Sequence, residues 1–126
     1  MKKKTKAENV AQVYDILNAA KYSKLNDDER IALWKITRAL KPVATKLKDD
    51  IQDAAQHMKP SDDFDQRLSI ARQYEQAQRD GKEFADEEVE IDIEPITEET
   101  LSRLMASNDS WTMEKAVIVS DMIMQQ

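Results

Sequence analysis

A chain of 126 residues holds one domain with a modest core, and with 35% charged but only 6% aromatic residues that core must come from Leu, Ile, Val, Ala and Met. One glycine, three prolines and no cysteine exclude a turn-rich, many-stranded β fold, disulfides, thiolate metal sites and cysteine nucleophiles. The net charge of −6 is unevenly spread: Met1 to Pro60 carries 13 Lys and Arg against 8 Asp and Glu (+5), and Ser61 to Gln126 carries 6 against 17 (−11). Such polarity favours packing of one half on the other, or head-to-tail association, and weakens with salt.

Residues 1–6, Met-Lys-Lys-Lys-Thr-Lys, are expected to form a disordered basic arm. No apolar run follows them as in a signal peptide, and no stretch approaches the ~20 apolar residues needed to span a bilayer. A cytoplasmic location in a bacterial host is the expectation. The first helix is predicted from about Ala7 to Lys21, with Val10, Val13, Tyr14, Leu17 and Ala20 on one face. A short link, Tyr22 to Leu25, leads to the best-marked helix start in the chain. There Asn26 can cap, Glu29 can reach back in a capping box, and Asp27 and Asp28 favour the positive end of the helix dipole.

The element that starts there dominates the sequence. From Asn26 to Met58, Leu33, Ile36, Leu40, Val43, Leu47, Ile51, Ala54 and Met58 recur in steps of three and four, and Trp34 widens the apolar face toward the first helix. A helix of that length spans about 48 Å, longer than a small domain covers by itself. Pro42 interrupts the pattern without shifting its phase, which favours a kinked continuous helix over a break. His57, the sole histidine, falls in the last turn with no second histidine to share metal binding or catalysis.

Ser61-Asp62-Asp63 marks a third helix with Phe64, Leu68, Ala71, Tyr74 and Ala77 or Gln78 on its face. The Asp62, Asp63 and Asp65 cluster lacks the spacing and glycine of a calcium loop. Gly81 stands where a left-handed residue would end this helix, which should fold back antiparallel along the long one. From Glu83 to Ser102 there are nine acidic residues and no basic one, and Val89-Glu90-Ile91-Asp92-Ile93-Glu94 alternates apolar with acidic. Period two with β-branched residues indicates an extended strand, and a lone strand invites pairing with another chain. Val89, Ile91, Ile93, Glu90, Asp92 and Glu94 are therefore the candidate partner-binding residues.

Thr97 caps a further helix, with Ile96 and Leu101 spaced as a hydrophobic staple. Leu101, Leu104 and Met105 give it a short face before the polar break Ser107-Asn108-Asp109-Ser110. A last helix is predicted from about Met113 to Met124, with Trp111 or Met113 beside Ala116, Val117, Ser120 and Ile123. The two do not read as a helix-turn-helix, because Lys115 is the only cation on the second.

The chain resembles small helical proteins encoded in bacteriophages and prophages at Leu17-Asn18-Ala19-Ala20-Lys21, at Ile36-Thr37-Arg38-Ala39-Leu40-Lys41-Pro42-Val43-Ala44 and at Leu104-Met105-Ala106-Ser107-Asn108-Asp109. The likeness covers the first half and, more loosely, the C-terminal segment. It implies a phage setting, in which such proteins serve in particle or tail assembly, and it carries no functional residue across.

The expected fold is all-α: a long kinked helix with antiparallel flanking helices, one acidic extended segment and a small C-terminal helical pair. The units are a disordered arm over 1–6, a helical hairpin or bundle over 7–81, the acidic segment over 82–97 and the helical pair over 98–126 on the same domain. The expected function is non-enzymatic, a phage or prophage structural or assembly protein acting through protein contacts, in the cytoplasm or on the virion. No cofactor, metal, membrane or small-molecule substrate is expected. The alternative is a regulator that touches nucleic acid with Lys2, Lys3, Lys4, Lys6, Lys21, Lys24, Lys35, Lys41, Lys46 and Lys48, which would have to converge on one surface.

Overall fold

A computed structural model describes residues 2–55 and 79–124, which are mostly helical around a two-stranded antiparallel sheet. The all-α expectation is corrected by that sheet. Strand β1 (Lys2–Lys6) is the arm expected to be disordered, and it pairs with strand β2 (Glu88–Asp92), the segment expected to lack a neighbouring strand. Charge explains the pairing. Lys2 faces Asp92, Lys4 faces Glu90 and Lys6 faces Glu88 on the exposed side of the ribbon, while Lys3 and Thr5 lie against Ile91 and Val89 on the other. Opposite charges set directly across a ladder favour one register over its neighbours.

Helix α1 (Ala7–Ala19) leaves β1 without a break and has no side-chain cap. Its Ala7 N–H instead donates to the Glu87 carbonyl at 2.9 Å, so the residue before β2 serves a donor that a helix start leaves over. Val10, Val13 and Leu17 are buried as the spacing predicts, Tyr14 and Ala20 of the predicted face are half-buried, Ala7 is buried in addition, and the helix ends at Ala19, short of the expected Lys21. The link after it is held by the far end of the chain. Asn108 Oδ1 accepts from the Lys21 N–H at 2.7 Å, its Nδ2 donates to the Lys21 and Leu104 carbonyls at 2.8 Å each, and Ser107 Oγ accepts from the Lys24 N–H at 2.9 Å.

Helix α2 (Asp27–Ala55) opens with the complete capping box: Asn26 Oδ1 accepts from the Glu29 N–H at 2.9 Å, and Glu29 Oε1 accepts from the Asn26 N–H at 3.1 Å. It is helical through Pro42, which is exposed, so the alternative of a break is not what forms. Leu33, Ile36, Leu40, Ala44 and Leu47 are buried. Beyond Leu47 the predicted stripe is not buried at Ile51, which is exposed, and Ala54 and Met58 lie outside the described side chains. Helix α1 runs antiparallel to α2, with Leu17 beside Trp34 and Thr37, and Ala7 beside Val43 and Leu47.

The predicted start and face of the third helix, with His57 and the Asp62, Asp63 and Asp65 cluster, lie outside the described residues. Residues 79–86 are helical (α3), which corrects two expectations. Gly81 does not end the helix in a left-handed conformation, and the extended segment begins at residue 87 rather than 82. Gly81 lies 4.0 Å from Ile51 Cγ1 by its Cβ position, and Phe84 shares a small cleft with Val43 and Leu47. The packing of α3 back along α2 carries the helix past its glycine.

After β2, the Ile96 N–H donates to the Ile123 carbonyl at 2.9 Å, and Ile96 bridges to Met124, tying the strand's exit to the last helix. Helix α4 (Glu98–Ser107) is capped by Thr97, whose Oγ1 accepts from the Thr100 N–H at 3.2 Å. Helix α5 (Met113–Ile123) is capped by Thr112 in the same way from Lys115. Its buried face is Ala116, Val119, Met122 and Ile123; Ala116 and Ile123 of the predicted face are buried and Trp111 packs against the core, while Met113 and Val117 point outward. One apolar cluster joins Val10, Val13 and Leu17 to Leu33, Ile36 and Leu40, to Ile91 and Ile93, and to Leu104, Val119 and Ile123. No helix of the described residues is long and apolar enough to cross a membrane.

Candidate functional site

The residues singled out on β2 are divided by the fold. Ile91 and Ile93 are each only 4% exposed, and Val89 is half-buried in the cleft with Ala7 and Phe84. Ile91 and Ile93 belong to the core, with Val89 packed against it, and β1 occupies one edge of the strand. In isolation the strand has an apolar side; in the fold that side joins the core cluster with residues of α1, α2, α4 and α5. Glu90, Asp92 and Glu94 remain exposed, with Asp92 and Glu94 on the rim of a groove of about 420 Å³ beside Asp28, Lys35 and Thr97.

Several cations of the basic half face carboxylates. Lys2 approaches Glu90 at 4.0 Å, Lys6 approaches Asp86 at 3.5 Å, and Lys46 lies 2.9 Å from Asp50 and 3.9 Å from Glu87. Lys48 is 2.8 Å from Asp15. Contact with Asp50 and with Asp15 holds the Lys46 and Lys48 ammonium groups above the ordinary lysine range. Among the described residues, no three His, Asp or Glu side chains are grouped to hold a metal ion.

The surface that stands out was not singled out by the sequence. On the outer face of α2, Ile31 is 52% exposed and Trp34 is 58% exposed, although both are large apolar side chains. Their surroundings are ordered. The Arg38 guanidinium lies over the Trp34 ring at 5.3 Å from its centroid, close enough for a cation–π contact. Arg30 Nε donates to the Tyr22 carbonyl at 3.1 Å, and its guanidinium reaches Asp27 at 4.0 Å. The Tyr22 hydroxyl donates to the Leu17 carbonyl, and partial burial pushes its pKa above the usual tyrosine value, against a smaller opposing contribution from its contact with Thr37. Leu17, Asn18, Tyr22, Arg30, Trp34 and Thr37 together line a shallow groove of about 290 Å³.

A tryptophan, a tyrosine and an arginine around a shallow groove, with a second arginine over the tryptophan, have the composition of an interface hot spot, in which rigid aromatic and guanidinium groups carry most of the contact energy. The signal in the sequence was the three-residue step from Ile31 to Trp34 on the side of α2 opposite Leu33, Ile36 and Leu40. A second outward patch is Met113, 73% exposed, with Val117, 48% exposed, one turn apart on α5. No protein-family model matches the chain, and neither curated proteins nor solved structures give a match.

Proposed function

We propose that this chain is a non-enzymatic protein that works through contacts with other protein chains, using the Ile31, Trp34 and Arg38 face of α2. The observation that carries the reading is the exposure of Trp34 and Ile31 beside a half-buried Tyr22 and two arginines, on a helix whose other face packs into the core through Leu33, Ile36 and Leu40. Water-exposed aromatic area of this kind is costly to keep unless a partner covers it. The resemblance to small phage and prophage proteins supplies the setting, particle or tail assembly in a bacterial cell, with residence in the cytoplasm or on the virion.

The test is site-specific photo-crosslinking in producing bacteria, with a benzophenone side chain at position 31 or 34 and, as control, at the exposed position 49. Discrete protein adducts at 31 and 34 that are absent at 49 are expected. Absence of any adduct at 31 and 34 would sink the reading.

A further inference from the structure

The Trp34 face of α2 carries one sign of charge. From Arg30 to Lys48 the helix has six cations and no acidic residue, in a chain whose net charge is −6. At about 100° per residue around the helix axis, Arg30, Arg38 and Lys41 all lie within about 40° of Trp34, and Ile31 lies about 60° from it. Each of these side chains is exposed. Lys35 is about 100° round from Trp34 and borders a different groove, with Asp28, Asp92 and Glu94.

The neighbouring charges leave this stripe positive. Arg30 has Asp27 at 4.0 Å, and Lys48 at the far end has Asp15 of α1 at 2.8 Å. Among the described residues neither Arg38 nor Lys41 has an ion-pair partner. Helix α1 and the link after it add Leu17, Asn18 and Tyr22 to the groove beside Trp34, and none of the three is a carboxylate. An apolar groove flanked by guanidinium and ammonium groups is complementary to an apolar side chain flanked by carboxylates, and arginine takes a carboxylate through paired donors.

The ends of the stripe limit what fits it. Asp27 and Asp28 precede Arg30 and Asp49 follows Lys48, all three exposed. From Arg30 to Lys41 the rise is about 16 Å, the length of about five extended residues. A nucleic-acid strand running on past either end would carry its phosphates onto those aspartates, whereas a short acidic segment ends before them. Ile31 adds aliphatic area that suits an apolar side chain and not a phosphate. We infer that the Trp34 face binds an acidic segment of another protein, with an apolar side chain seated in the groove against Trp34 and carboxylates on either side of it meeting Arg30, Arg38 and Lys41. The inference rests on the protein-contact reading above and names the chemistry of the partner.

The experiment selects binders to the purified full chain from a displayed library of random short peptides, and measures the enriched peptides by fluorescence anisotropy at low and high salt. Enrichment of Asp and Glu around a Leu, Ile or aromatic residue is expected. Binding of those peptides should weaken about tenfold or more in Trp34→Ala and in Arg38→Glu, and several-fold at high salt. Both substitutions replace exposed side chains, and unchanged circular dichroism and melting would show that the variants fold, with Lys41→Glu as a third on the same stripe. Failure to enrich any peptide, enriched peptides without an excess of acidic residues, or binding indifferent to both substitutions would each overturn the inference. So would tighter binding of an oligothymidylate that is lost in Trp34→Ala, which makes the occupant a nucleic acid, or a concentration-dependent mass in light scattering that is lost in Trp34→Ala, which makes it a second copy. Peptides that need Trp34 without being acidic, or crosslinks at 31 and 34 without any such peptide, end the inference and leave the protein-contact reading standing; with neither, both fall.

Discussion

Glu29 shows how much one side chain can coordinate. One of its carboxylate oxygens closes the capping box with Asn26, and the other lies 2.7 Å from Arg103 Nη1 on α4. The residue that starts the longest helix thus also fastens the C-terminal pair to it. The hydrogen bond from the Asn26 N–H is the main reason its carboxyl is held below the usual carboxylate range, with Thr100 and Arg103 adding to it and partial burial opposing. A carboxyl with a lowered folded-state pKa contributes stability that is present above its unfolded value of about 4.3 and disappears as pH falls through the folded value. Glu29→Gln keeps the shape but not the charge. The natural chain should therefore be more stable than the variant at pH 7, and the difference in urea midpoint should close between about pH 4.3 and the folded value below it. A difference that stays constant down to pH 2 would contradict the linkage. Asn108 and Ser107 carry a comparable load through neutral groups, and the sequence showed them only as a polar break.

Helix α2 shows which features of an element are local. Its cap and its periodicity agree, so its start at Asp27 and its buried residues through Leu47 were readable in advance. Pro42 was the ambiguous position, because proline costs about 3 kcal/mol relative to alanine inside a helix. The helix nevertheless continues across it, with Leu40 and Ala44 on either side fully buried. Tertiary packing offsets the local penalty. Pro42→Ala should then stabilise the chain, by up to about 3 kcal/mol in denaturant unfolding, since the position is exposed and the alanine N–H can bond to Arg38. Destabilisation would mean that the missing donor is matched to something α2 needs. In α5 the periodicity was weaker evidence: Val117 and Val119 are both β-branched, and only contact with the core selects Val119 as the buried one.

At the scale of the whole molecule, the opposite charge of the two halves has an internal outlet. The basic first strand lies on the acidic second strand, and Lys2, Lys6 and Lys46 from the basic half meet Glu90, Asp86 and Glu87 from the acidic half. Each exposed pair alone contributes little, but the ladder positions Lys2 opposite Asp92, Lys4 opposite Glu90 and Lys6 opposite Glu88 act together on one register. Reversing Lys2, Lys4 and Lys6 to Glu together would set like charges opposite Asp92, Glu90 and Glu88. Hydrogen exchange of the β2 amides should speed up at least several-fold in that variant, and more modestly in the natural chain at high salt. Unchanged protection in both would show that the ladder and the apolar side of the ribbon hold β1 without help from charge.

The sequence by itself determined the helical character, the capping box at Asn26 and the helix start at Thr97, most of the buried positions of α1 and α2, and the charge division. Each of these is set by residues within a turn or two of one another, where spacing and side-chain chemistry act directly. The tertiary structure decided what those elements meet. It paired the first five described residues with a strand more than eighty positions away, buried Ile91 and Ile93, drew Asn108 onto the α1 to α2 link and left Trp34 facing water. Those outcomes depend on long-range contacts, whose partners carry no local mark: a lysine run reads as solvated until the strand that neutralises it is placed beside it.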